Sequence, residues 1–194
     1  MAIDMSKAHV VFESTNLAAT KYAKKMFDCV CDTDIDNGTF GHMEELVSAK
    51  IYKFVPGVKA GEEVVVAHMP EWDEDETSKL NQRRNHFYIP AGMPFRVYSL
   101  TMSDKFAISI EGFTEATKTI VSDETDFLEN DVFLTVGPGG KLVASKTTAV
   151  DEDSAPVMEA RIEGKRLHGA KLITPLRQYG SDYAMYEARI KVLA

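Results

Sequence analysis

Cysteine is nearly absent, with only Cys29 and Cys31 among 194 residues. A lone C-x-C cannot build a disulfide framework, and structural zinc needs four ligands, which no nearby Cys or His supplies before His42. On a strand the two side chains point to one face, so reduced thiols on a buried strand are expected. The five histidines, His9, His42, His68, His86 and His168, form no H-x-H or H-E-x-x-H pair, which removes the spacings that mark catalytic zinc. No Gly-x-Ser-x-Gly elbow occurs, and Gly137–Gly140 lacks the Gly-Lys-Ser/Thr ending of a phosphate loop. Basic residues are in deficit, 22 against 30 acidic ones for a net charge of −8. Their closest group, Lys79, Arg83 and Arg84, follows the acidic run Glu71–Glu76, so direct nucleic-acid binding is not expected. No apolar run approaches a membrane span, and the first residues lack the basic-then-apolar pattern of a secretion signal. Folding in cytosol is the expectation.

What is present is strand patterning. Hydrophobic residues make up 44% and charged residues 27% of the chain, the balance of a globular domain with a real core. One β-rich domain over 1–194 is expected, with residues 1–15 as a candidate N-terminal arm. In the final segment Ala184, Tyr186, Ala188, Ile190 and Val192 alternate with Glu187, Arg189 and Lys191. Met158, Ala160, Ile162 and Gly164 likewise oppose Glu159, Arg161, Glu163 and Lys165, so each segment predicts a half-buried strand. Val132–Val136 and Lys141–Ala144 flank the glycine-rich turn 137–140 and predict a hairpin. A second hairpin is predicted from Phe95–Met102 and Phe106–Glu111 through Ser103-Asp104. Further strands are expected at Ile51–Val55 and Glu63–His68. Helix is the minority state: Asn16 is a candidate cap for a short helix over Leu17–Phe27, and Thr77 for another over Ser78–Arg84. The predicted class is mainly β, a barrel or sandwich-like fold with one or two short helices.

Chemistry-bearing patterns are few. Asp32, Asp34 and Asp36 alternate as the oxygen ligands of a calcium loop do, and they are weak metal candidates. The sixth position, however, is Asn37 where such a loop needs glycine, and the twelfth is Met43 where it needs Glu. A solvated acidic strand running into an Asp-Asn-Gly turn explains the pattern better. The acidic runs elsewhere read as solvated faces. No catalytic residue and no cofactor is expected. Trp72, the one tryptophan, sits among carboxylates, so Trp72, Asp73 and Glu74 are the candidate interface, an apolar anchor with a charged rim. A Pro-x-Gly-x-x-His turn carries a metal ligand in cupin-type barrels. Pro90-Ala91-Gly92 resembles its opening, but the histidine position is Phe95.

Several segments together resemble the small virion structural proteins of tailed bacteriophages that are encoded beside the major capsid protein. The likeness is carried by Val10–Asn16, by Asp36-Asn37-Gly38-Thr39-Phe40-Gly41 and by Pro70–Asp75. It continues in Ile89–Arg96, Ser109–Thr114 and the ending Tyr186–Ala194. The resemblance implies a non-enzymatic protein, made in the host cytoplasm, that decorates or cements the capsid. It further implies the major capsid protein as partner, a homo-oligomeric state and a place in the virion. A cupin-like small-molecule binder or enzyme, and a phage tail or connector subunit, are the alternatives.

Overall fold

The computed structural model describes residues 2–4, 6–22, 25–71, 84–150, 156–168 and 183–194. In chain order, β1 (Ala2–Ile3) and β2 (Phe12–Glu13) precede β3 (Met26–Val30), β4 (Phe40–Ser48), β5 (Ile51–Pro56) and β6 (Val65–Ala67). There follow β7 (Phe87–Tyr88), β8 (Phe95–Ser99), β9 (Lys105–Ser109), the helix α1 (Lys118–Asp123), β10 (Phe133–Val136) and β11 (Leu142–Ser145). The long strands β12 (Met158–His168) and β13 (Tyr183–Leu193) close the chain. The fold is mainly β, as the alternation predicts.

Five strands close a barrel in the order β3-β5-β4-β6-β8, with only the β3–β5 pairing parallel. Closure satisfies the backbone groups that an open sheet would leave at its edges. The barrel core is Cys29, Cys31, Ile35, Phe54, Val65, Ala67, Ile89, Phe95 and Val97. Six further strands form a sheet in the order β11-β10-β12-β13-β9-β2, and β1 pairs with β7. The run Val64-Val65-Val66-Ala67 explains how the two parts join. Val65 and Ala67 point into the barrel, whereas Val64 and Val66 belong to the larger core beneath the sheet. A strand buried on both faces needs this unbroken apolar sequence. At the junction Phe12, Phe40 and Phe106 form a three-ring cluster, with centroids 5.4–6.3 Å apart.

Two elements depart from expectation. Phe95–Met102 and Phe106–Glu111 do not form a hairpin: β8 pairs with β3 and β6 in the barrel, and β9 pairs with β13 and β2 in the sheet. The intervening Ser103-Asp104 is a corner between layers. The Asp104 carboxylate accepts the Thr101 and Ala18 N–H groups, and Ser103 N–H donates to Ile190 O. Turn chemistry specified a reversal, while these distant partners decided which sheet each strand joins. In place of the helix over Leu17–Phe27, the described residues show a 3-10 turn at Ala18–Thr20 and then β3, because Phe27 and Cys29 are drawn to the barrel core. Helix instead forms at Lys118–Asp123. The second predicted helix lies outside the described residues apart from Arg84, which opens a 3-10 turn.

The β12–β13 pair carries two compensating bulges. Glu159 faces Val192 and Ala160 faces Ile190, so Lys191 is an extra residue on β13; Glu163 is the extra residue on β12. Each bulge exchanges faces. Val192 therefore turns away from the core that buries Ile190, and Leu193 packs against that core in its place. Lys165 comes onto the core side opposite Tyr186, where its ammonium sits 5.4 Å from the ring centroid and donates to Ser122 O.

Cys29 and Cys31 are free, buried thiols. Burial pushes the Cys29 thiol up to about 12, with the neighbouring Asp28 charge adding to the effect. Because only the thiolate attacks a disulfide reagent, Cys29 is not expected to react with such a reagent at mildly alkaline pH, and Cys31, 3% exposed, is shielded by its packing. Both should react once denaturant is added. Rapid labelling of the native protein would contradict this packing.

Candidate functional site

Two places on the barrel carry enough exposed or polar chemistry to be considered. The first is a cleft of about 460 Å³ where the N-terminal segment meets the 33–39 turn, Tyr88 and the β10–β11 turn. β1 pairs with β7, Asp4 N–H donates to His86 O, and His9 N–H donates to Asn85 O. The N-terminal segment is thereby stitched to the 85–88 stretch, and Val10, Val11 and Phe12 continue into buried positions. His9 is only 3% exposed. Its Nδ1 lies 2.5 Å from Asp36 Oδ1, its ring stacks on Tyr88 at 5.2 Å, and its Nε2 faces Asp4 Oδ2 at 3.6 Å. Hydrogen bonds from the Ser6 hydroxyl and Ser6 N–H hold the Asp4 carboxyl below its ordinary value.

The three alternating aspartates are thus divided among different tasks. Asp32 pairs with Lys53 at 2.8 Å, Asp34 accepts the Ala91 N–H, and Asp36 binds His9. Asp34 and Asp36 line the cleft, and Asp32 does not. Among the described residues no three His, Cys, Asp or Glu side chains group as metal ligands. The His9–Asp36 contact has the form of an acid–base dyad, but Nε2 is sealed from solvent and has another carboxylate beside it. Both ring nitrogens thus face carboxylates of this chain, and the arrangement works as a latch on the N-terminal segment. Sequence spacing could not reveal it, because His9 and Asp36 are 27 residues apart.

Removing that latch gives a test. His9→Ala should cost about 1–3 kcal/mol, the penalty for stripping a buried group of its partner. It should also speed amide exchange at Asp4 and His9 more than elsewhere. Uniform exchange across the molecule would mean that the ring does not tether this segment.

The second place is the β4–β5 hairpin. From Glu44 to Lys50 every residue is exposed, although the partner strand β5 stays paired with β3 of the barrel from Ile51 onward. Two extra residues on β4, between Met43 and Ser48, bend it away from a regular ladder. At its tip Lys50 adopts a left-handed φ of 68°, an uncommon conformation for a side-chain-bearing residue. Leu46 and Val47 are 57% and 56% exposed, with Glu44 and Glu45 beside them. Nearby, across β3, a groove of about 350 Å³ is floored by Met69, Pro70, Pro94 and Tyr98, with Arg96, His68 and Asp28 along its edge. Arg96 Nε is 3.6 Å from Asp28 Oδ1.

Phe95, at the position of a cupin-type ligand, packs edge-on against Phe54 at 5.5 Å in the barrel core. Trp72, Asp73 and Glu74 lie outside the described residues. Among those residues no helix is long and apolar enough to cross a membrane. No protein-family model, curated protein or solved structure matches the chain.

Proposed function

We propose that this protein is a non-enzymatic virion structural subunit of the tailed-phage kind, one that decorates or cements a capsid shell. The single observation that supports this most is the exposed apolar pair Leu46 and Val47 on the β4–β5 hairpin. Phe54 of this hairpin serves the barrel core, whereas Leu46 and Val47 stay in solvent and form an apolar patch suited to contact with another protein. The whole-chain resemblance carried by Val10–Asn16, Ile89–Arg96 and Tyr186–Ala194 names the kind of assembly. An acidic chain suits that setting, since a net charge of −8 favours solubility before assembly and disfavours packaged DNA as a competing partner. The proposed partner is the major capsid protein, with Trp72, Asp73 and Glu74 as its contact.

The small-molecule reading rests on Ile89–Gly92, and Phe95, in the barrel core at the ligand position, adds nothing to it. A mass-spectrometric inventory of purified virions, with imaging of their heads, tests the proposal. The protein should be found at stoichiometric levels on the shell. Its absence, or density confined to the tail, would overturn head decoration.

A further inference from the structure

The Asp36-Asn37-Gly38 turn joins two residues that the fold requires and that chemistry makes unstable together. Gly38 has a φ of 74°, and a Cβ there would lie 2.8 Å from the buried ring of Phe12. Only glycine fits both demands. Asn37, 0% exposed, uses its side-chain amide as a strand uses its backbone. Its Nδ2 donates to Met69 O at 2.9 Å, and its Oδ1 accepts the Met69 N–H at 2.9 Å. An ionised aspartate of the same shape could only accept.

Asparagine is a thermolabile residue, and a following glycine exposes it most, because no side chain hinders the glycine nitrogen. Asn37 is the one asparagine of the chain that precedes glycine. In this chemistry the Gly38 nitrogen attacks Asn37 Cγ and an N–C bond forms. The Cγ–Nδ2 bond breaks, and ammonia leaves with the proton from the attacking nitrogen. Water then opens the cyclic imide at either carbonyl, giving aspartate or isoaspartate. Water is the only co-reactant.

In the closed turn both reacting groups are held. Gly38 N–H donates to Ala67 O at 2.7 Å, and Cγ is pinned to Met69 through both atoms of its amide. Reaction therefore requires the turn to separate first from the 67–69 stretch, a local opening. Afterwards the turn cannot close as before. A carboxylate at position 37 has no hydrogen for Met69 O, and it would stand beside the Glu71 carboxylate, whose Oε1 is 3.3 Å from Nδ2 in the native turn. The same turn carries Asp36, the partner of His9, so its loss slackens the N-terminal latch as well.

We infer that Asn37-Gly38 is a site of spontaneous deamidation, dormant while the turn is closed, and that conversion irreversibly loosens the turn together with the N-terminal segment.

The native full chain, incubated at mildly alkaline pH with and without urea, tests this. Peptide mass spectrometry follows the mass gain of deamidation at each asparagine, and isoaspartate is read from its shifted peptide elution. In urea Asn37 should convert faster than the other asparagines. In the folded protein it should convert at least about tenfold more slowly than in urea, since only the open fraction reacts. Converted molecules, separated by their extra negative charge and refolded, should melt at least about 3 °C lower, as loss of a buried partner does in a chain of this size. They should also show faster amide exchange at Asp4, His9 and Met69. Asn37→Asp, expressed directly, should reproduce the lower melting temperature; if it does not fold, the charge-separated molecules carry the comparison. Equal rates with and without urea, an Asn37 inert in urea, or converted molecules that melt like the native protein would each overturn the inference.

Discussion

Ile190→Asp is expected to lower stability by more than about 4 kcal/mol, at the extreme of single substitutions. Ile190 is buried in the main core beside Ala160, which faces it on β12. A carboxylate there loses the apolar contacts and has its charge desolvated. The neighbouring positions make the prediction specific. Lys191→Asp, on an exposed bulge residue, should stay within about 0.5 kcal/mol of the native protein. Val192→Asp should be mild and Leu193→Asp distinctly worse, since the bulge turns Leu193 toward the core in place of Val192. Urea or thermal unfolding of the four variants reads the order. If Val192→Asp were as damaging as Ile190→Asp, strict alternation would hold through the end of β13 and the bulge would be wrong.

Gly140→Ala should be the second most damaging of these substitutions, at about 2–5 kcal/mol. Two costs combine. Gly140 has a φ of 76°, which an alanine adopts at roughly 1–2 kcal/mol. An added Cβ would also lie 2.2 Å from Phe40 O and 2.7 Å from a Thr39 methyl, an overpacking that costs typically 1–3 kcal/mol. The adjacent Gly139 separates the two. Its φ is 73° and a Cβ there meets nothing within 4 Å, so Gly139→Ala should show the backbone cost alone. The difference in melting temperature between the variants therefore measures how closely the β10–β11 turn seats on β4. Equal losses would mean that sheet and barrel do not make this contact.

The strands were legible because each sequence face has one environment. Phe133–Val136 and Leu142–Ser145 pair as predicted, since a glycine-rich turn between two apolar runs leaves few alternatives. The C-x-C at the end of β3 was legible for the same reason: in extended chain i and i+2 share a face, and that face is the barrel core. The corner at Ser103-Asp104 was not, because a two-residue turn signal is local and says nothing about the layer each flanking strand enters. The candidate sites were legible only in part. Asp36 stood out through its spacing, but His9 carries no motif, and the exposure of Leu46 and Val47 contradicts what their hydrophobicity alone suggests.

By itself, then, the sequence determined the β class, most strand positions, the buried thiols and the lack of any recognisable catalytic spacing, since all of these follow from period, composition and neighbours along the chain. The tertiary structure alone decided that five strands close on themselves while six others form a separate sheet, that two bulges exchange faces in β12 and β13, that His9 is clasped between Asp36 and Asp4, and that Leu46 and Val47 stand in solvent. Each of these depends on which distant segments meet. That is settled by the summed burial of both faces of strands such as β6, a quantity that no short stretch of sequence contains.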